Sequence, residues 1–294
     1  MSLVEAHLIC LGLVTTDVLA RAWRIRWIMR GLKQELTLRD AFIINTFGDA
    51  ANALTPLRIG GEPARLAGML RIRAPMTAAL LGITLEALVS RLVLAAVIVW
   101  LAWQFAPAWW VSVGPRLRAN VADAWPWIVL VLLAGSLLWR YTQRVVSPIT
   151  RRMRHSLARV QVYWRRMPRW PLVVGIPLSL ISIATRVAIL PVLALSWASP
   201  PSVSLLTFGS FTLLYSQMVL PTPSGAGVVE LGFVGGAAGD LGDHQGWLLL
   251  AWRFYTNGVG VLLGVWLAAQ IYGWPALRKL LRQTTVEVKE QPEG

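Results

Sequence analysis

The sequence predicts an all-α polytopic membrane protein of about five to seven membrane helices, completed by two opposed re-entrant helical hairpins in an inverted repeat. Three observations predict it. First, 56% of the 294 residues are hydrophobic and only 14% are charged, with a mean hydropathy of +0.57, far too apolar for a soluble domain of this size. Second, the lysines and arginines behind a net charge of +14 lie in the gaps between apolar runs, where they read as topology determinants. Third, two apolar runs are cut short by proline, glycine and charge.

Residues 3 to 21 form the first predicted span. A cleaved signal peptide is excluded because the basic cluster follows the apolar run and Glu5 and Asp17 interrupt it. Arg21, Arg24, Arg26, Arg30 and Lys33 then mark a cytoplasmic segment. The next apolar run, 41 to 54, reaches only about 21 Å as a helix, short of the roughly 30 Å hydrocarbon core. Basic residues flank it on both sides, Arg39 before and Arg58, Arg65, Arg71 and Arg73 after. The run therefore enters the bilayer and turns back. Its break, "TPLRIGGEPARLAGML" (55 to 70), should line a cavity, since broken backbone at membrane depth needs protein or water around it.

Further spans are expected at 76 to 104, 126 to 140, 171 to 197 and 246 to 272. The segment 140 to 170 is basic and cytoplasmic; it is either a plain positive-inside loop or an amphipathic helix on the anionic leaflet. Short apolar pieces at 203 to 220 and 228 to 239 flank "PTPSGAGVVE" (221 to 230), and the loops outside them carry no Lys or Arg. This pair reads as a second hairpin entering from the extracytoplasmic face. The whole is one integral membrane domain, 1 to 278, with a first repeat at about 1 to 105 and a second at about 171 to 275. Residues 279 to 294 form a polar cytoplasmic tail.

Paired interrupted segments in two halves point to a substrate site at their interface. One tip carries Thr55-Pro56, Gly60, Gly61 and Glu62, the other Thr222-Pro223, Gly225, Gly227 and Glu230. Pro63 suits a first helical position, and free N–H groups at such helix starts favour anions. With Arg58 and Arg65 nearby, the two starts would hold a phosphate. The intramembrane charges Glu86 and Arg186 either face that site or form internal ion pairs. Glu230, Glu86, Asp49 or a lipid phosphate is the expected partner of Arg186. Arg253 either joins the site or snorkels. The spacing of Gly260 and Gly264 permits close helix contact within one subunit. Bulky residues at Gly60, Gly61 or Gly227 should be disruptive, whereas Gly264→Ala should be mild. Cys10, the single cysteine, excludes an internal disulfide, and no His/Cys or acidic cluster offers a metal site.

"LTLRDAFIINTFGDAANALTPLRIGGEPARLAGML" (36 to 70) resembles the first block of the lysylphosphatidylglycerol synthase transmembrane family, the flippase-like domain of bacterial lipid-aminoacylating proteins. "LPTPSGAGVVELG" (220 to 232) is similar to its second block, with Ser224 where glycine is usual, and "AWRFYTNGVGVLLG" (251 to 264) to its last span, in which Arg253 matches a recurrent arginine. The resemblance covers most of the chain, with 100 to 200 matching in hydropathy alone. It implies a stand-alone member without the synthase domain, beginning after a span that relatives commonly have. In "ITLEALVSRLVL" (83 to 94) Glu86 and Arg91 stand apart where the family tends to place acid and base side by side. The implied substrate-binding residues are Asn52, Pro56, Arg58, Gly60, Gly61, Glu62, Arg65, Pro221, Pro223, Gly225, Gly227, Glu230 and Arg253, supported by Asp49, Glu86, Arg91 and Arg186.

The function expected is movement of a phospholipid or a polyprenyl- or hopanoid-type lipid across the bacterial inner membrane, with the C-terminus cytoplasmic. The partners expected are a lipid with an anionic phosphate headgroup and a lipid-synthesising enzyme. No cofactor, metal, catalytic residue or nucleic-acid partner is expected, since no binding fold accompanies the charge. Two alternatives stand beside this reading. One is a membrane-embedded transferase on a lipid phosphate, with Glu62 or Glu230 as base. The other is a non-transporting partner of a lipid-modifying enzyme.

Overall fold

The computed structural model describes residues 1–55, 60–101, 103–104, 164–165, 167–196, 203–217, 229–230, 233 and 245–272. The expected span 126–140, nearly all of the basic segment 140–170, the second break at 221–228 and the polar tail lie outside these residues. All regular structure among the described residues is helical. Among the described residues, four helices are long and apolar enough to cross a membrane: Leu3–Gly31, Met76–Leu101, Trp170–Ala194 and Gln245–Leu267.

Helix α1, Leu3–Gly31, opens with a capping box in which the Ser2 hydroxyl accepts the Glu5 N–H and the Glu5 carboxylate accepts the Ser2 N–H. It does not stop near residue 21. The whole basic stretch to Arg30 is helical, which makes α1 about 44 Å long, and Lys33 then leaves the helix with a positive φ of 59°.

Helix α2, Leu38–Leu54, is capped by Thr37. It ends where Thr55 turns extended, at φ −105° and ψ 142°, as a residue preceding proline must. Helix α3, Gly61–Arg71, follows. It begins two positions earlier than expected, so Pro63 sits inside the first turn. Ile44 meets Gly68, Gly48 meets Arg65 and Asn52 meets Gly61. These pairs step in opposite directions along the two helices, so α2 and α3 form an antiparallel hairpin. Arg39 and Arg71 thereby come to its same, open end.

The chain divides into two compact units, Met1–Glu86 with Arg169–Gly294, and Ala87–Pro168. Helix α4, Met76–Leu101, begins in the first and continues into the second. In the second unit it buries Val89 and Val93 and exposes Leu92, Val99 and Trp100.

In the first unit, α5 (Trp170–Ala194) runs antiparallel to α1. Trp27 meets Trp170 edge-on with ring centroids 5.6 Å apart, Arg24 meets Ser179, and Cys10 meets the Ile189 carbonyl. Helix α6, Val203–Ser216, occupies the short apolar piece expected there. The last span is helix α7, Gln245–Arg253, a π-helical turn Phe254–Gly258, and helix α8, Val259–Tyr272. Sequence patterning missed the π turn.

Gly264 is where α8 presses on α2. A Cβ there would collide with the Ala50 Cβ and lie 2.9 Å from the Thr46 carbonyl oxygen. The contact within one subunit is as expected, but its tightness overturns the expectation that Gly264→Ala is mild. Gly264→Ala should lower stability by about 1–3 kcal/mol, read as a drop in unfolding midpoint in detergent. Ala50→Gly in the same chain should recover part of the loss, and Gly12→Ala, where a Cβ meets nothing within 4 Å, should leave the midpoint unchanged. Equal midpoints for Gly264→Ala and wild type would refute this packing.

Candidate functional site

Five helices deliver charge into the interior of the first unit. On α1, Asp17, Arg21 and Arg24 stand at spacings of four and three, on one face. On α5, Ser179, Ser182 and Arg186 do the same. The hairpin adds Asp49 from α2 and Arg65 from α3, and α4 adds Glu86.

The groups join into one network. Asp17 accepts from Arg21 at 2.8 Å and from Arg186 at 3.1 Å, and from the Ser182 hydroxyl. Arg21 reaches across to Asp49. Arg65 bridges Asp49 at 3.5 Å and Glu86 at 2.8 Å. Arg24 binds Glu86 and donates to the Ser179 hydroxyl at 2.9 Å. Glu86 and Asp17 are 2% and 4% exposed, Arg24 and Arg21 5% and 7%. Such burial is costly in hydrocarbon and is sustained only by paired and hydrogen-bonded charge. Gly48 makes room for it: a Cβ there would sit 2.6 Å from the Arg65 side chain.

The two hairpin helices are also tied across the break. The Gly60 N–H donates to Thr55 Oγ1 and the Gly61 N–H to Asn52 Oδ1, each at 2.9 Å. Pro63 has no N–H to offer. The start of α3 is therefore not the open set of anion-binding N–H groups that the sequence suggests, because polar side chains of α2 already fill it. Glu62 is exposed in the first turn of α3.

On the last span, Arg253 pairs with Glu230 at 2.6 Å and lies 5.8 Å from the Trp252 ring centre. Within the π turn, Tyr255 places its hydroxyl 2.9 Å from His7 Nδ1 on α1.

Thus the structure brings Asp49, Arg65, Glu86 and Arg186 together, holds Asn52, Gly60 and Gly61 at the break, and pairs Glu230 with Arg253. Arg91 is exposed farther along α4. Pro56, Arg58, Pro221, Pro223, Gly225 and Gly227 lie outside the described residues. Two expectations fail. The direct ion pair of Arg186 is with Asp17, which was not among the candidates, because antiparallel packing sets α5 against the middle of α1; Asp49, which was, is within electrostatic reach of Arg186. Arg21 and Arg24, expected beyond the end of the first span, lie inside α1 and are buried. Their spacing from Asp17, four and seven residues on one helical face, was the signal available.

Four long apolar helices among the described residues, three of which contribute to a buried ionic network, define a multi-pass α-helical membrane protein. The chain belongs to the family described as the lysylphosphatidylglycerol synthase TM region, which it matches over residues 2–264. That match takes in the hairpin, the charged network and most of the last span, and sets the protein in a lipid-related membrane context. Neither a curated protein nor a solved structure matches the chain.

Glu86 holds two arginines, so Glu86→Ala should cost about 3–5 kcal/mol by stranding buried charge. Adding Arg24→Ala should cost less than the sum of the two single changes. Additivity in that double-mutant cycle would show that the pair is not coupled.

Proposed function

We propose that the protein moves a lipid with an anionic phosphate headgroup, a phospholipid or a polyprenyl- or hopanoid-type lipid, between the leaflets of the bacterial inner membrane. One observation carries the reading. Among the described residues, four guanidinium groups, Arg21, Arg24, Arg65 and Arg186, meet only three carboxylates, Asp17, Asp49 and Glu86. The network carries one surplus positive charge, and the buried Nε–H groups of Arg21 and Arg65 have no hydrogen-bond partner among the described residues. A buried cation in excess favours an anion, and a guanidinium suits a phosphate.

In this reading the α2–α3 hairpin enters the bilayer from the cytoplasmic side, and a second hairpin around 221–230 opposes it in an inverted repeat. The headgroup reaches Arg65 and Arg58 at the first break, Glu62 and the Glu230–Arg253 pair face it from the rim, and the tails stay in lipid. A lipid-synthesising enzyme supplies the substrate. The common location of Arg39 and Arg71 at one end of the hairpin supports its re-entry.

Reconstituted in liposomes, the wild-type protein should accelerate transbilayer movement of labelled anionic lipid. Arg58→Ala, Glu230→Gln and Arg65→Lys, which keeps charge but loses the planar fork, should each slow it about tenfold or more, measured on protein that is still folded at the assay temperature, since Arg65→Lys and Glu230→Gln also weaken ion pairs. If lipid stays in its leaflet while mass spectrometry finds a new lipid species, the protein is a transferase instead.

A further inference from the structure

The open end of the hairpin holds a groove of about 230 Å³, separate from the buried network. Arg39 and Asp40, in the first turn of α2, and Arg71, in the last turn of α3, form its polar rim, while Ile43, Phe47 and Ile72 give it apolar walls. Its depth comes from the close crossing of the two helices, since a Cβ at Gly68 would lie 3.0 Å from Ile44 Cγ1. Arg39, Arg71 and Ile72 are exposed at its mouth, and Leu70 is exposed beside it.

From this we propose that the groove is a binding site for a monoanionic glycerophospholipid of the surrounding leaflet, seated with its phosphodiester between Arg39 and Arg71 and the start of an acyl chain against Ile43, Phe47 and Ile72. The rim sums to one positive charge, because two arginines face one aspartate, and that matches one phosphodiester. Asp40 is held in place by the Thr37 hydroxyl, which donates to its carboxylate at 2.5 Å and accepts its N–H at 3.1 Å. It sets a negative group beside the arginines and so disfavours headgroups of higher negative charge. Each guanidinium has five N–H donors and can hold a phosphate oxygen along with other partners. Arg39 also breaks a local rule, as a cation in the first turn of a helix is opposed by the dipole, and a bound anion offsets that. The volume is below the roughly 300 Å³ at which small-molecule pockets begin, which suits a headgroup whose tails remain in the bilayer. Apolar walls favour a lipid over free phosphate.

The test is photo-crosslinking in proteoliposomes with phosphatidylglycerol carrying a diazirine near the head of one acyl chain, with adducts mapped by mass spectrometry. Adducts should appear on peptides covering 42–47 and 68–72, and unlabelled phosphatidylglycerol should displace them while phosphatidylcholine does not. The double variant Arg39→Gln/Arg71→Gln should lower their yield about tenfold, while adducts elsewhere on the chain stay constant and report an intact fold. Unchanged adducts in the double variant, equal displacement by phosphatidylcholine, or equal displacement by soluble glycerol phosphate would each overturn the proposal. The readout does not depend on lipid movement, so it stands or falls apart from the transport reading.

Discussion

The fold depends on the neutralisation of Glu86. A carboxylate at that depth in an apolar bundle is tolerable only with its charge answered, and two arginines answer it from different elements, Arg24 of α1 and Arg65 of α3. Because Arg65 also reaches Asp49, and Asp49 reaches Arg21, the requirement passes from helix to helix until Arg186 of α5 is included through Asp17. Apolar side chains in lipid can slide past one another with little penalty, since lipid tails are as apolar as leucine. A chain of ion pairs cannot, so it sets the register of every helix it touches.

The hairpin shows a different economy. The sequence between α2 and α3 leaves backbone donors that hydrocarbon would not forgive. Thr55 and Asn52, both close to the end of α2, cap Gly60 and Gly61 across the break. The start of α3 is thus a closed structural joint. The Gly60 and Gly61 N–H groups are therefore already taken, and among the described residues it is the Arg65 side chain that offers charge to an anion there.

Several of these features were legible in the sequence. The four long helices, the short run 41–54, its interruption and the charged character of Glu86, Asp49 and Arg186 follow from hydropathy and from the cost of charge in hydrocarbon. What was not legible is pairing. Asp17, Arg21 and Arg24 sit where an apolar run meets a basic one, and local composition reads them as the end of a span. Only the antiparallel approach of α5, which no local pattern encodes, turns them inward. The tightness at Gly264 was hidden for the same reason, because it depends on Ala50 and Thr46 of α2. Likewise, no periodicity announced the π turn at Phe254–Gly258.

That turn has a consequence for how the last span tolerates change in length. One surplus residue in a helix rotates everything after it by about 100° relative to the part before. The α7 side presents Trp252 and Arg253 to Phe233 and Glu230, and the α8 side presents Gly260 and Gly264 to α2. The two faces are therefore phased independently, with the π turn as the offset between them. A single-residue deletion within it would restore a regular helix and set one face against the wrong neighbour. The span should then accept substitution at the exposed Phe254 far more readily than any change in the number of residues at 254–258.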